Sequence, residues 1–275
     1  MQTELKISFI GGGNMATALI GGLAGKLTAG ANIHVIDVNA DALRRLQQQF
    51  GVTTAPQIDT TLASSDVIVL AVKPQQMKDV ATQLQAHVSS QLVLSIAAGI
   101  RAIDLSRWLK GHKAIVRTMP NTPALIGQGI TGMAAMAGVS EQQRAAADAI
   151  MRAVGATVWL SDEALIDPVT AVSGSGPAYV FYFIEAMQQA AQEMGLSAEQ
   201  GNALAMATFV GASQLAAQSA EPVSMLRDRV TSKGGTTYAA LTSMESSGVK
   251  EAIVRAMKAA AQRGRELGEE FGKDQ

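Results

Sequence analysis

The feature that most constrains the fold is a glycine-rich turn that follows a predicted strand, Ile7–Ile10, and opens a predicted helix. Gly11, Gly13 and Ala16 occupy the three small positions of the pattern G-x-G-x-x-G/A. In such a turn the first glycine permits the tight bend, the second lets a pyrophosphate approach the backbone, and the third small residue lets helix and strand pack closely. The free N–H groups at the amino end of the helix attract the phosphates. The turn therefore predicts dinucleotide binding. The alternative is that its glycines serve only to form a tight turn.

An acidic residue ends the next predicted strand, Ile33–Ile36. A carboxylate at that place, here Asp37, accepts hydrogen bonds from the ribose 2′-OH of an adenosine and repels a 2′-phosphate. Arg44 and Arg45 lie further along, where they can be solvated helix charges. The pattern favours NADH over NADPH; the alternative is that Asp37 only caps the helix that begins near Ala40.

Residues 1–161 alternate β-branched runs with helical stretches, which predicts βαβ units and a mostly parallel sheet. We therefore expect an α/β, Rossmann-type domain over this range. Val67–Val72 is apolar at every position, which predicts a central strand covered on both faces. The predicted strands are Ile7–Ile10, Ile33–Ile36, Val67–Val72, Leu92–Ile96, Ala114–Thr118, Gly129–Met133 and Thr157–Leu160.

After Ser161 the strand signals stop, and long helical patterns predict an all-helical domain over residues 162–275. The segment Ala178–Ile184 is apolar on nearly every side of a helix, and Leu204–Ala212 has the same character. A helix that is apolar all round has to be buried all round, which a domain of this size cannot easily achieve alone. We expect a homo-oligomer with such helices, including Ile184, packed across its interface; a compact monomeric bundle is the alternative.

Composition argues against several classes of function. The 22 Lys and Arg residues balance the 23 Asp and Glu residues, so no basic field is available for a nucleic acid or an anionic membrane surface. The chain has no cysteine, and no histidine follows His112, so we expect neither a Ser-His-Asp triad nor a metal ion in the helical half. No apolar run reaches about 18 residues, and no secretory signal is apparent, so we expect a cytoplasmic protein.

Ligands of open α/β sheets bind beyond the carboxyl ends of the strands. Prolines in the loops expected there fix the backbone direction, which suits a wall against a nicotinamide. Lys73 can hydrogen-bond cofactor oxygens, or it can simply be solvated where its loop starts. The loops are Ala71-Val72-Lys73-Pro74-Gln75, Ala97-Ala98-Gly99 and Met119-Pro120-Asn121-Thr122-Pro123.

Two segments rich in glycine and hydroxyl groups stand out in the helical half, Val172–Tyr179 and Val230–Tyr238, and each precedes a predicted helix. The second brings hydroxyls and flexible backbone to a helix amino terminus, which suits a small anion such as a carboxylate. Helix capping by Thr236 or Thr237 is the alternative.

Taken together, the motifs resemble the pyrroline-5-carboxylate reductase family along the whole chain. The resemblance implies reduction of the cyclic imine 1-pyrroline-5-carboxylate to L-proline by NADPH or NADH, the last step of proline biosynthesis. It also implies a Rossmann domain followed by a helical dimerisation domain, dimers that often assemble into decamers, and active sites at the dimer interface. The matching segments are Phe9–Met15, Ala71–Pro74, Ser95–Gly99, Met119–Pro123, Ser173–Tyr179 and Ser232–Thr237.

The resemblance also implies roles for individual residues. Thr237 would lie near the ring nitrogen of the substrate, and Thr237 and Lys73 are the candidate catalytic residues. A protonated imine is already electrophilic, so the protein has chiefly to hold its C5 carbon against the nicotinamide. The candidate substrate-binding residues are Ser232, Gly235, Thr236 and Thr237, and the candidate cofactor-binding residues are Gly11, Gly13, Asn14, Met15, Asp37, Val72, Lys73, Pro74, Ala97 and Asn121.

Two departures from the family pattern leave questions open. Asp37 replaces the neutral residue often found in NADPH-preferring members, and Lys233 stands where many relatives have proline. Lys233 is also the only plausible lysine acid in the helical half for the main alternative, a β-hydroxyacid or sugar-acid dehydrogenase. A catalytically silent nucleotide-sensing protein is a second alternative, against which the intact hydroxyls of the 232–237 segment argue.

Overall fold

The computed structural model describes residues 4–273, which form two compact units: 4–175 together with 259–273, and 176–258. All seven predicted strands are present in the first unit, although several end one or two residues away from their predicted limits. Thr53–Ala55 is an additional strand, which the sequence pattern does not predict because Thr-Thr-Ala contains no apolar run. The strands are β1 (Ile7–Ile10), β2 (Ile33–Ile36), β3 (Thr53–Ala55), β4 (Val67–Leu70), β5 (Leu92–Ser95), β6 (Ile115–Met119), β7 (Gly129–Ala135) and β8 (Gly155–Trp159).

The eight strands form one sheet in the order β3-β2-β1-β4-β5-β6-β7-β8. Neighbouring strands are parallel except β6 and β7, which are antiparallel. Every residue of β4 is buried between β1 and β5, which confirms the predicted central strand. The chain order reverses between β1 and β4, so a crevice is expected beyond their carboxyl ends.

Helices cover both faces of this sheet. Phe9 and Val69 belong to one buried apolar cluster, whereas Ile10 and Leu70, which follow them directly, belong to a second cluster on the opposite face. The alternation shows that both faces are packed, as a parallel sheet requires. The helices of this unit are α1 (Asn14–Leu23), α2 (Ala40–Phe50), α3 (Met77–Leu84), α4 (Ala102–Trp108), α5 (Glu141–Arg152) and α6 (Ile166–Val169), which continues into a π-helix at Thr170–Gly174.

The second unit contains helices only, so the predicted architecture of an α/β domain followed by an all-helical one is confirmed. A capping box of Ser197 and Gln200 starts its longest complete helix. Residues 162–175 pack with the sheet, and the predicted domain boundary after Ser161 stays a prediction. The helices are α7 (Gly176–Glu193), α8 (Ala198–Gln218), α9 (Val223–Arg229), α10 (Thr236–Ser246) and α11 (Val249–Gly272), the last of which ends in the first unit.

Most large apolar side chains of α7 and α8 are exposed in the single chain. Tyr182 is 73% exposed, and Phe181 and Leu215 are also open to solvent. In contrast, Ile184 is buried within the protomer. The expectation that Ile184 packs across an interface is therefore wrong, because its own chain already buries it.

Candidate functional site

The glycine-rich turn lies where the sheet reverses its order, directly after β1. Gly11 has a φ of +103°, and a Cβ atom at this position would lie 2.6 Å from the carbonyl oxygen of Ala71. Its N–H donates to the carbonyl of Ile36 at 2.8 Å. Only glycine satisfies both the left-handed backbone and the close approach of the loop that follows β4.

The amino end of α1 is open toward the crevice. Gly13 is the N-cap and supplies no side chain, and a Cβ atom built on it would meet nothing within 4 Å. The first helical hydrogen bond is that from Thr17 to Gly13, so the N–H groups of residues 14–16 point forward without a helical acceptor. Ala16 is 1% exposed, which accounts for the small third position. This cradle fits a pyrophosphate.

Asp37 joins the turn to the end of β2. Its Oδ2 accepts a hydrogen bond from the N–H of Gly12 at 2.6 Å, and its Oδ1 accepts one from Asn39 at 2.8 Å. The cap of α2 is Asn39, whose side chain accepts from Asp41 and Ala42. The alternative in which Asp37 caps this helix is therefore wrong. A carboxylate can accept about four hydrogen bonds, so Asp37 keeps acceptor capacity for a hydroxyl group.

A cavity of about 230 Å³ opens beside Asp37. Val38, Pro56, Ile58 and Val72 contribute apolar walls, and Val38 is 91% exposed. Its size and mixed lining suit the adenosine half of a dinucleotide.

The two arginines of α2 lie on its solvent face. Arg44 is exposed and forms an ion pair with Asp41 on the same helix, and Arg45 is also exposed. The exposure of both side chains agrees with the interpretation that they are solvated helix charges.

The remaining predicted cofactor residues differ in accessibility. Lys73 is exposed and precedes a short 3-10 helix, Pro74–Gln76, whereas Ala97 is nearly buried after β5. Asn121 is also nearly buried, and its side chain already has two partners: Oδ1 accepts from the N–H of Ile130 at 2.9 Å, and Nδ2 donates to the carbonyl of Ser173 at 3.2 Å. Asn121 thus joins the end of β6 to β7 and to the π-helix, and its contact with a cofactor stays a prediction.

In the second unit, the candidate carboxylate loop makes a tight turn into α10. Gly234 has a φ of +76°, and the N–H of Gly235 donates to the carbonyl of Ser232 at 2.9 Å. The N-cap of α10 is Gly235, without a side-chain cap. Thr236 and Thr237 therefore do not cap the helix, and Thr236 is exposed while Thr237 is half-buried. The loop offers helical N–H groups and hydroxyls together, as an anion requires.

A buried ion cluster near the end of β6 is the feature that sequence reasoning missed. Arg117 is 3% exposed, and its guanidinium lies 3.0 Å from Glu163 and 3.8 Å from Asp167. Burial raises the pKa of Asp167, and the nearby Arg117 and Arg265 offset this effect only in part. The sequence signal for this cluster was a charged residue, Arg117, inside a predicted strand. The cluster holds residues 163–167, which precede Ser173 in the chain, against β6.

No helix within residues 4–273 is both long enough and apolar enough to cross a membrane. In the same range, no group of three histidine, aspartate or glutamate side chains is arranged to hold a metal ion.

Known proteins match both parts of the chain. Residues 163–267 match the family described as pyrroline-5-carboxylate reductase dimerisation, and residues 6–99 match one described as NADP oxidoreductase, coenzyme F420-dependent. The pyrroline-5-carboxylate reductase of Pseudomonas aeruginosa is 44% identical over 97% of this chain and 98% of its own length.

Two solved structures are similar over nearly the whole chain. A pyrroline-5-carboxylate reductase from Coxiella burnetii superimposes with a TM-score of 0.90 at 40% identity, covering 96% of this chain and 99% of the other. The pyrroline carboxylate reductase of Plasmodium falciparum, solved with NADP bound, gives a TM-score of 0.86 at 29% identity and covers 98% of this chain and 100% of the other.

Proposed function

The chain belongs to the pyrroline-5-carboxylate reductase family, and we infer from this membership how its own residues carry out the reaction. The protein is an NAD(P)H-dependent oxidoreductase that reduces 1-pyrroline-5-carboxylate to L-proline in proline biosynthesis. The observation that carries this conclusion is the 44% identity to a named reductase over 97% of the chain.

The first unit is proposed to hold the cofactor, which supplies the hydride when it is bound. The open N–H groups of Asn14 and Met15, beside Gly13, bind the pyrophosphate. Asp37 accepts a hydrogen bond from the adenosine ribose, because its carboxylate is anchored by Gly12 and retains free lone pairs. The loops that contain Val72, Lys73, Pro74, Ala97 and Asn121 are proposed to bound the nicotinamide half.

The second unit is proposed to bind the substrate carboxylate at the amino end of α10. Ser232, Gly235 and Thr236 supply hydroxyl and N–H donors around the turn, and Thr237 places its half-buried hydroxyl near the ring nitrogen. The hydroxyl accepts a hydrogen bond from the protonated ring nitrogen and so orients the imine, while its C5 carbon takes the hydride. Lys73, with an exposed ammonium group, is the second candidate catalytic residue.

We also propose at least a homodimer formed through the second unit. The family description of residues 163–267 refers to dimerisation, and the exposed apolar side chains of α7 and α8 supply a surface that a second copy would cover. A decamer of such dimers, and a cytoplasmic location, belong to the same proposal.

The reaction is tested by mixing the purified protein with NADH or NADPH and pyrroline-5-carboxylate, and following the absorbance of the reduced nicotinamide. Parallel reactions with 2-keto and 3-keto acids serve as controls. Oxidation of the cofactor by the imine alone supports the proposal. Oxidation of the cofactor by a keto acid alone would instead favour the hypothesis of a β-hydroxyacid or sugar-acid dehydrogenase, with Lys233 as the general acid.

A further inference from the structure

A histidine on β2 makes two polar contacts that the proposed reaction does not use. His34 is 7% exposed, and its Nδ1 lies 2.8 Å from the hydroxyl of Thr53 on β3. Its Nε2 lies 3.4 Å from Oδ2 of Asp59. That nitrogen is buried and has no hydrogen bond of normal geometry, so the carboxylate of Asp59 is the polar group that it faces.

The chemistry of the three groups determines where the ring carries its proton. A carboxylate oxygen only accepts, so a favourable contact with Asp59 requires an N–H at Nε2 of His34. In the neutral ring Nδ1 then accepts from the hydroxyl of Thr53; in the doubly protonated ring it donates to that hydroxyl, which turns to the carbonyl of Ile33 at 3.3 Å. In both arrangements the ring attracts Asp59.

Asp59 is itself held in its ionised form. Partial burial raises its pKa, but hydrogen bonds from Thr61 and the proximity of His34 outweigh this effect, so the pKa lies below its ordinary value. The Oδ1 atom accepts the N–H of Thr61 at 2.9 Å and caps a short 3-10 helix, Thr60–Ser64. One oxygen therefore starts this helix and the other faces the histidine.

This contact fixes one end of a cavity wall. Pro56, Gln57 and Ile58 line the cavity beside Asp37 and connect β3 directly to Asp59. The other end of this segment is fixed by Ala55, whose carbonyl accepts the N–H of Asp37 at 3.2 Å. The position of the wall therefore depends on both attachments.

We propose that His34 and Asp59 are a positioning pair that holds the 56–58 wall against the adenosine half of the cofactor and thereby sets cofactor affinity. The inference rests on the proposed function only in taking this cavity as the adenosine site. Neither residue touches the reacting atoms.

Replacing Asp59 by asparagine is the sharpest test, because the amide oxygen can still cap the helix while the charge and the acceptor oxygen that faces His34 are lost. Asp162→Asn is the matched control: Asp162 caps the 3-10 helix Glu163–Leu165 through the same 2.9 Å contact, here from Ala164, and no ion pair with a histidine occurs there among residues 4–273. Two probes separate the halves of the cofactor. ADP-ribose lacks the nicotinamide, and reduced nicotinamide mononucleotide lacks the adenosine.

In Asp59→Asn we expect the Kd of ADP-ribose, measured by calorimetry, and the KM of NADH each to rise about fivefold, as for the loss of a partly exposed polar contact to a carboxylate. The kcat at saturation and the KM of reduced nicotinamide mononucleotide should not change, and Asp162→Asn should match the wild type. His34→Phe should repeat the effect, and His34→Gln, which keeps an N–H donor, should restore part of the affinity.

Unchanged ADP-ribose affinity in Asp59→Asn and His34→Phe would overturn the proposal, as would equal losses with both nicotinamide donors, since these would indicate general loosening. A wild-type protein that does not bind ADP-ribose would also overturn it. A wild-type protein that binds ADP-ribose but does not reduce pyrroline-5-carboxylate would remove the proposed function and leave the positioning pair standing.

Discussion

Replacing Asp37 by serine is expected to shift the cofactor preference from NADH toward NADPH. NADPH carries a dianionic phosphate where NADH has a ribose hydroxyl, so the carboxylate would lose a hydrogen-bond donor and gain a like charge. Unit charges about 4 Å apart interact by ~1 kcal/mol in water, and a dianion doubles this value. The loss of the hydrogen bond adds to it and salt screening reduces it, which gives a preference of ~1–3 kcal/mol for NADH, or roughly 5- to 150-fold in kcat/KM.

The structure adds a second consequence of the same substitution. The carboxylate of Asp37 accepts the N–H of Gly12 at 2.6 Å, and Gly12 is buried. If serine does not reach this N–H, leaving it unpaired would lower the free energy of unfolding by ~1–3 kcal/mol. Asp37→Asn is the matched variant, because its amide oxygen can still accept from Gly12 while the negative charge is removed. Both variants should favour NADPH more than the wild type does, and the asparagine variant should be the more stable of the two.

The assay is the initial rate against NADH and NADPH at one ionic strength, accompanied by urea denaturation of the three proteins. The ratio of kcat/KM should change mainly through the KM of the cofactor, with little change in kcat at saturation. A wild type that prefers NADPH, or a ratio that stays constant in both variants, would show that the ribose is recognised elsewhere and that Asp37 serves only to hold the turn.

Three further outcomes follow from the contacts. Thr237→Val should lower kcat/KM for the imine roughly 10- to 150-fold without changing the Kd of the cofactor. Thr242→Val is the control and should keep the wild-type kcat/KM, because the hydroxyl of Thr242 bonds only to its own helix. Equal kcat/KM values in the two variants would exclude Thr237 from the site. Partial burial raises the pKa of Asp148, but hydrogen bonds from Arg152, Thr157 and Trp159 lower it by more, so the folded pKa lies below the unfolded one. The stabilisation by this carboxylate is therefore complete above the unfolded pKa and is lost as the pH falls through the lower folded value. Asp148→Asn should therefore lower the free energy of unfolding, measured by urea denaturation, by ~1–3 kcal/mol at neutral pH. It should also flatten the fall of this free energy at acid pH, and an unchanged fall would contradict the argument. Tyr182→Asp, at a 73% exposed position, should dissociate the oligomer in light scattering while leaving each chain folded, and a wild type that is already monomeric would refute the interface.

The sequence alone determined seven of the eight strands, the glycine-rich turn after β1 and the change from sheet to helices. These features depend on local patterns: an unbroken apolar run such as β4, a glycine at a position where only glycine fits, and helical spacing that continues over many turns. The family motifs extend the same local information to the candidate loops, since each motif is a contiguous segment of a few residues.

Only the tertiary structure decided the features that join distant parts of the chain. β3 is too short and too polar to be predicted, and it forms because β2 offers it a parallel partner. Asp37 likewise has a partner distant in sequence, since it accepts a hydrogen bond from Gly12 and does not cap α2. Arg117 can be buried in a strand because Glu163 and Asp167 lie beside its guanidinium. The burial of Ile184 by its own chain was also not predictable, since an all-apolar helix carries no local signal of which side turns inward. A polar or charged side chain is stable in such places only when a partner from elsewhere in the chain satisfies it, and that partner is known only once the chain has folded.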